Sequence, residues 1–162
     1  MEEWNRNLEI LNHLLVDTFN EILKVEEQSV KLAADESVTV TELHVLEAIG
    51  RGEPRTVSAL AATMRVTVST MTIGINRMEK KGLVERVRES ADRRVVQVRL
   101  THRGQTLAYM HQRFHRQMAR AAVDRLTPEE VDVLCRAVEN LKDFFHAESE
   151  RNKGNISPGG EA

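Results

Sequence analysis

Between Val68 and Arg103 the side chains are of types and spacing that read a charged surface rather than make or break bonds. At helical spacing Val68, Met71, Ile75 and Met78 share one side, while Ser69, Thr72, Ile73, Asn76 and Lys80 share the other. Hydroxyl and amide groups near a helix N-terminus, here Ser69, Thr70, Thr72 and Asn76, can reach base edges in a DNA major groove. Ile73 can meet a thymine methyl, and Arg77, Lys80 and Lys81 at the far end suit backbone phosphate. Taken alone, these residues equally describe a solvated helix face. Arg86, Arg88, Arg93 and Arg94 then cluster about one turn, where they repel each other unless they face a polyanion such as a narrow minor groove. Asp92 beside them can orient a guanidinium or simply stabilise the turn.

A second set has ligand chemistry. His111 and His115, four apart on one helix face, can offer two imidazoles to one metal ion, and Glu26 with His44 can complete four ligands. Hydrogen-bonded structural histidines explain the same residues without a metal. No paired carboxylates, phosphate-cradling glycine loop or nucleophile beside a base appears at useful spacing, so the reading is not an enzyme. Cys135, the single cysteine, lies among Val131, Val133, Leu134 and Val138, which points to a buried apolar side chain rather than a redox sensor. With no partner for a disulfide and no apolar run of membrane or signal-peptide length, a cytoplasmic location is expected.

Charge supports the first set. Residues 65–103 carry ten Lys/Arg against four Asp/Glu, a local +6, which leaves about −8 for the remainder of a chain whose total is −2. Positive charge gathered on one element of an otherwise acidic chain is a phosphate-binding footprint. Six aromatics in 162 residues argue against base stacking on single strands and favour duplex DNA.

The elements that must position these side chains follow from punctuation. Leu8, Leu11, Leu15, Phe19, Ile22 and Val25 mark a long amphipathic first helix, about 2–34. Thr39 and Glu42 have capping-box spacing before a helix ended by Gly50. Residues 51–54 read as a loop. Thr56 and Thr67 cap two short helices, a helix-turn-helix closed at Gly82, and Val84, Val87, Val95, Val96 and Val98 flank the arginine-rich turn as a two-stranded hairpin. Helices at about 102–126 and 128–147 follow, the latter announced by Thr127-Pro128-Glu129-Glu130. Leu134, Val138, Leu141 and Phe145 form its seam, able to pack on the first helix or a partner chain, and the polar stretch 148–162 reads as a disordered tail.

The segment Val68-Ser69-Thr70-Met71-Thr72-Ile73-Gly74-Ile75-Asn76-Arg77-Met78, followed by Glu79-Lys80-Lys81-Gly82-Leu83-Val84, Asp92-Arg93-Arg94 and Leu100-Thr101-His102-Arg103-Gly104, resembles the MarR family of winged-helix regulators in family order. The resemblance covers about 1–147 and implies a mainly α fold: some six helices, a two-stranded wing, a DNA-binding part at about 39–101, and a helical dimerisation region. It implies a homodimer on a pseudo-palindromic duplex. Many members carry glycine where Arg65 stands, which leaves that turn's geometry open.

Within the family, Ile22-Leu23-Lys24-Val25-Glu26-Glu27, Glu42 to Gly50, Val66 to Thr72 and His111-Gln112-Arg113-Phe114-His115 resemble FabT-type repressors of fatty-acid synthesis genes. That resemblance implies a long-chain acyl-acyl carrier protein as corepressor. Leu15, Phe19, Ile22, Val45, Ile49, Leu107 and Met110 offer apolar lining for an acyl chain, although a stripe at this spacing is more often plain core. Arg113 and Arg116 are candidates for meeting the acidic carrier protein. The placement of Glu26, His44, His111 and His115 is also similar to that in zinc-responsive members, which tend to carry further histidines and a cysteine that this chain lacks near the site. A protein-interaction module without DNA is the remaining alternative.

Overall fold

The computed structural model describes residues 1–32, 38–87 and 96–155. Helix α1 spans Glu2–Leu32, α2 Val40–Ile49, α3 Val57–Thr63, α4 Val68–Lys80, α5 His102–Val123 and α6 Pro128–Asn155. Strands β1 (Arg55–Thr56), β2 (Val84–Val87) and β3 (Gln97–Leu100) form an antiparallel sheet in the order β1-β3-β2. The chain divides into two compact units, Met1–Phe114 and His115–Ala162.

Local chemistry sets most boundaries in the first unit. Thr39 Oγ1 accepts from Glu42 N while a Glu42 carboxylate oxygen accepts from Thr39 N, so two otherwise unpaired donors of α2 are satisfied together. Thr56 and Thr67 accept from Ala59 N and Thr70 N as N-caps of α3 and α4. Gly50 and Gly82 stand at positive φ, 71° and 67°, where a side chain would be strained. The core beneath these helices is aliphatic: Leu46, Leu60, Ile75, Met78, Leu83, Val84 and Val98 are essentially sealed from solvent.

Several expectations need correction. The sheet has three strands, because Arg55 and Thr56 pair with Val98 and Gln97. A two-residue strand has no periodicity of its own and forms only because the chain entering α3 passes β3. Val68 is exposed, since it leads α4 before the helix reaches the core at Met71. In the second unit α6 continues through Asn155, past the expected start of the tail. Polar helix formers and an exposed Glu148–Arg151 ion pair extend it with no proline to stop it before Pro158. The Thr127–Glu130 capping box is formed as read, and Cys135 is exposed in the single chain rather than buried. Residues 156–162 of the expected tail lie outside the described residues.

Arg65 adopts φ 54°, the left-handed region, and its side chain is exposed. It is the one described non-glycine residue at positive φ. The backbone of the turn between α3 and α4 therefore demands what glycine supplies without cost. Arg65→Gly is expected to raise stability by about 0.5–1 kcal/mol, visible as a rise of a few degrees in thermal midpoint. A midpoint that stays level or falls would show the turn to be unstrained.

Candidate nucleic-acid interface

Helix α4 is rotated so that Met71, Ile75 and Met78 enter the core, which leaves Ser69, Thr70, Ile73, Asn76, Arg77 and Lys80 exposed and Thr72 half-buried. Several of its polar groups already have work. Thr70 Oγ1 is 2.8 Å from Thr67 Oγ1 at the N-cap, and Thr72 Oγ1 donates to Val68 O at 2.7 Å, which leaves that hydroxyl with acceptor capacity toward a ligand. Lys81, grouped by sequence with the phosphate contacts, instead caps α4 and places its ammonium 2.7 Å from both carboxylate oxygens of Glu42 on α2. Arg103 Nη1 donates to Lys81 O at 2.7 Å, so the end of α4 is fastened from two sides.

The stem of the wing is fixed by the β2–β3 register, Val84 opposite Leu100 through Val87 opposite Gln97. Arg99 and Glu85, directly opposite each other, form an exposed ion pair of 2.6 Å. Arg86 reaches back over α4: its Nη1 donates to Glu79 Oε2 at 2.7 Å and its Nη2 to Asn76 Oδ1. The other wing residues singled out by sequence, Arg88, Asp92, Arg93 and Arg94, lie outside the described residues.

A polar node lies within the first unit. Glu26 and His111 are buried. Glu26 Oε1 stands 3.6 Å from His111 Nε2 and 3.9 Å from His44 Nε2, and the two imidazole rings meet edge-on at 5.0 Å between centroids. The ligand atoms of Glu26, His44 and His111 all fall within 4.8 Å of one another. His115 follows one turn after His111 on the unbroken helix α5 and projects from the same face. Glu47, not anticipated from sequence, holds the other side of His111, with Oε2 3.1 Å from Nδ1. Its position three residues after His44 on one helix was the available signal.

The apolar residues considered for an acyl chain do not share one environment. Val45 and Ile49 are core, Leu107 packs against it, Leu15 and Ile22 are half-buried, and Phe19 and Met110 are about half exposed. A small cavity beside α2 and α5 is lined by Glu47, Gly50, Arg51, Ala108, Tyr109 and Gln112, none of them in that set. Among the described residues no helix is long and apolar enough to cross a membrane.

Comparison with known proteins agrees with this geometry. Residues 37–95, which hold α2 to β2, match the family model described as MarR family. The HTH-type transcriptional regulator YhjH of Bacillus subtilis is 29% identical over 122 residues, covering 74% of this chain and 70% of that protein. Streptococcus pneumoniae FabT, solved in complex with DNA, is 32% identical with a TM-score of 0.77 over 86% of this chain and 98% of that one. MepR of S. aureus, also solved with DNA, is 18% identical with a TM-score of 0.65 over 83% of this chain and 97% of its own, a likeness of fold. These relatives are regulators rather than enzymes, which also sets aside a module that binds no DNA. A helix-turn-helix within the matched segment and a relative 32% identical and matched over almost its whole length place the chain in the MarR family of DNA-binding transcriptional regulators.

Proposed function

We propose that this regulator is a homodimeric repressor of fatty-acid synthesis genes, acting in the cytoplasm with long-chain acyl-acyl carrier protein as corepressor. The similarity to FabT across nearly that whole chain carries the reading. In it α4 enters the major groove, the arginines of the wing meet the adjacent minor groove, and two-fold symmetry gives a pseudo-palindromic operator. Dimerisation is supported by apolar side chains that each unit leaves exposed: Leu8, Leu11 and Phe19 on α1, and Val133, Val138 and Phe145 on α6.

A second reading, a zinc-responsive repressor, is favoured by the polar node. Two ligands of a tetrahedral zinc ion with bonds near 2.0–2.1 Å stand about 3.3 Å apart. Glu26 Oε1 is 3.6 and 3.9 Å from the two imidazole nitrogens, long for direct hydrogen bonds but close to that separation. Glu47 on His111 Nδ1 supplies the outer carboxylate that orients a metal-binding imidazole and leaves Nε2 for the ion. Glu26, His44, His111 and His115 would hold it. Bound there, zinc would join α1, α2 and α5 and favour one spacing of the DNA-reading helices.

Fluorescence anisotropy on a labelled duplex from the promoter nearest the encoding gene, with acyl carrier protein, its long-chain acyl form or zinc added separately, tests both readings. The lipid reading expects tightening by the acyl form alone. A response to zinc alone, lost in His111→Ala, would replace it with the metal reading. In the same assay Arg94→Ala is expected to weaken binding to every duplex and to reduce the slope of log affinity against log salt by about 1. An unchanged slope would remove Arg94 from the phosphate or groove contacts.

A further inference from the structure

Glu79 is the one acidic side chain of α4, and it stands where neither the helix nor a DNA ligand favours it. It is the next-to-last residue of the helix, at the end whose partial charge favours cations, among Arg77, Lys80 and the C-cap Lys81. On an element that approaches phosphates, its charge repels them. What the carboxylate does in the fold is hold Arg86. Glu79 Oε2 accepts from Arg86 Nη1 at 2.7 Å, while Nη2 of the same guanidinium donates to Asn76 Oδ1. Arg86 thus has two anchors, both on the recognition helix. It also borders a cavity of about 290 Å³ lined by Ser58, Val68, Thr72 and Val96 among others, so a guanidinium released from Glu79 has room to turn toward a phosphate.

We propose that Glu79 is a specificity-determining residue: it stands in for a backbone phosphate on Arg86, and so lowers affinity for DNA of any sequence while sparing the operator. The inference rests on the DNA-reading role of α4. Sequence-independent binding is a sum of cation–phosphate contacts, each releasing counterions, and Glu79 withdraws Arg86 from that sum. Both side chains of the pair are 37% exposed, so it has the strength of a surface ion pair and a phosphate competes with it on near-equal terms. On the operator Asn76 is fixed at its base edge. One lone pair of Oδ1 accepts from Arg86, the other lone pair and the NH2 remain for the base, and Arg86 keeps this anchor whether or not Glu79 is present. On a random duplex Asn76 has no matching edge, and Glu79 is the anchor that counts. Loss of the carboxylate therefore releases Arg86 to phosphate chiefly where binding is non-specific.

The test uses the full chain and two duplexes of equal length, an operator selected from a random pool and a scrambled version of it, in anisotropy titrations over a series of salt concentrations. The wild type, Glu79→Gln, Glu79→Ala, Arg86→Gln and the double variant Glu79→Gln/Arg86→Gln are compared, with circular dichroism melts to establish that each is folded. Glu79→Gln is expected to tighten binding to the scrambled duplex about three- to fivefold and to steepen its slope of log affinity against log salt by about 1, with a change under about twofold on the operator. Glu79→Ala, which can accept no hydrogen bond, should do the same or more. In the Arg86→Gln background the effect on the scrambled duplex should fall below about twofold. Unchanged or weakened binding to the scrambled duplex in both Glu79 variants would make the pair a strut between strand and helix, and overturns the proposal. Tightening of equal size in the Arg86→Gln background overturns it as plain repulsion of phosphate by Glu79, and equal tightening on both duplexes overturns the role in specificity. If the wild type itself does not separate the selected from the scrambled duplex, the DNA-reading role of α4 has failed, and the proposal falls with it.

Discussion

Gly104→Ala is expected to be among the most damaging single-methyl additions available in this chain. A Cβ built on Gly104 would lie 2.0 Å from the carbonyl oxygen of Leu83, 3.1 Å from its carbon and 3.4 Å from Leu46 Cδ2. That oxygen cannot yield cheaply, because it accepts from Thr101 N at 3.1 Å and from Thr101 Oγ1 at 3.1 Å. Thr101 in turn caps α5 through Gly104 N and reaches Gly82 O at 2.6 Å. Admitting a methyl thus means lifting the start of α5 off the turn that joins α4 to β2. Overpacking against backbone in a region this closely bonded is expected to cost about 3 kcal/mol or more, a fall of roughly 10 °C in thermal midpoint. Gly74→Ala is the control. Its Cβ would meet nothing within 4 Å, so relief of glycine's helix penalty should raise stability by up to about 1 kcal/mol. Equal small effects at both positions would show that the contact at Gly104 is loose.

The second large effect is expected at Glu42. Its carboxylate accepts from Thr39 N at 2.9 Å in the capping box and holds Lys81 Nζ at 2.7 Å with both oxygens, the side chains of Glu42 and Lys81 being 13% and 25% exposed. Removing it breaks the Thr39 N half of the capping box, Thr39 Oγ1 still capping the backbone N of residue 42, and leaves a half-buried ammonium without this partner. Glu42→Ala should therefore cost about 2–3 kcal/mol. A double-mutant cycle with Lys81→Met isolates the pair, and a coupling of about 1 kcal/mol or more is expected. Additivity within a few tenths would reduce the contact to a surface ion pair of no energetic consequence. The pair also connects function: α2 carries Glu42 at its first turn and His44 and Glu47 beyond it, so one short helix touches both the end of the recognition helix and the polar node. Salt-insensitive destabilisation together with weakened DNA binding in Glu42→Ala would fit that placement.

Much of the positioning machinery was legible in the sequence because it acts over three or four residues. Thr39 with Glu42, Thr127 with Glu130, the threonines before α3 and α4, and the glycines at 50 and 82 each satisfy or release backbone groups within one turn. The inner face of α4 followed from its period, with Val68 the exception at the frayed end where period no longer implies a neighbour. The side chains proposed to read DNA or hold a ligand were picked out by type, and Glu26, His44 and His111 converge in the fold although spacing had joined only His111 and His115. Their partners were not identifiable. Glu47 meets His111 across 64 positions and Lys81 meets Glu42 across 39. Glu47 lies on α2 and Lys81 caps the end of α4, and apart from Glu47 following His44 by three positions nothing local distinguishes them from solvated ones.

The sequence by itself thus determined where most helices start and stop, which faces turn inward, and that a stretch rich in basic residues follows a helix-turn-helix. Those features rest on hydrogen bonds and periodicities closed within a single element. Only the tertiary structure decided that Lys81 pairs with Glu42, that Arg86 donates to the carbonyl of Asn76, that Arg55 and Thr56 form a third strand, and that Gly104 is glycine because a carbonyl from another element lies against it. Each depends on the distance between elements far apart in the chain, and that distance is set by how aliphatic surfaces such as Leu46, Ile75 and Val98 pack together. Side-chain volume and shape, summed over the core, fix it; no spacing within one segment encodes it.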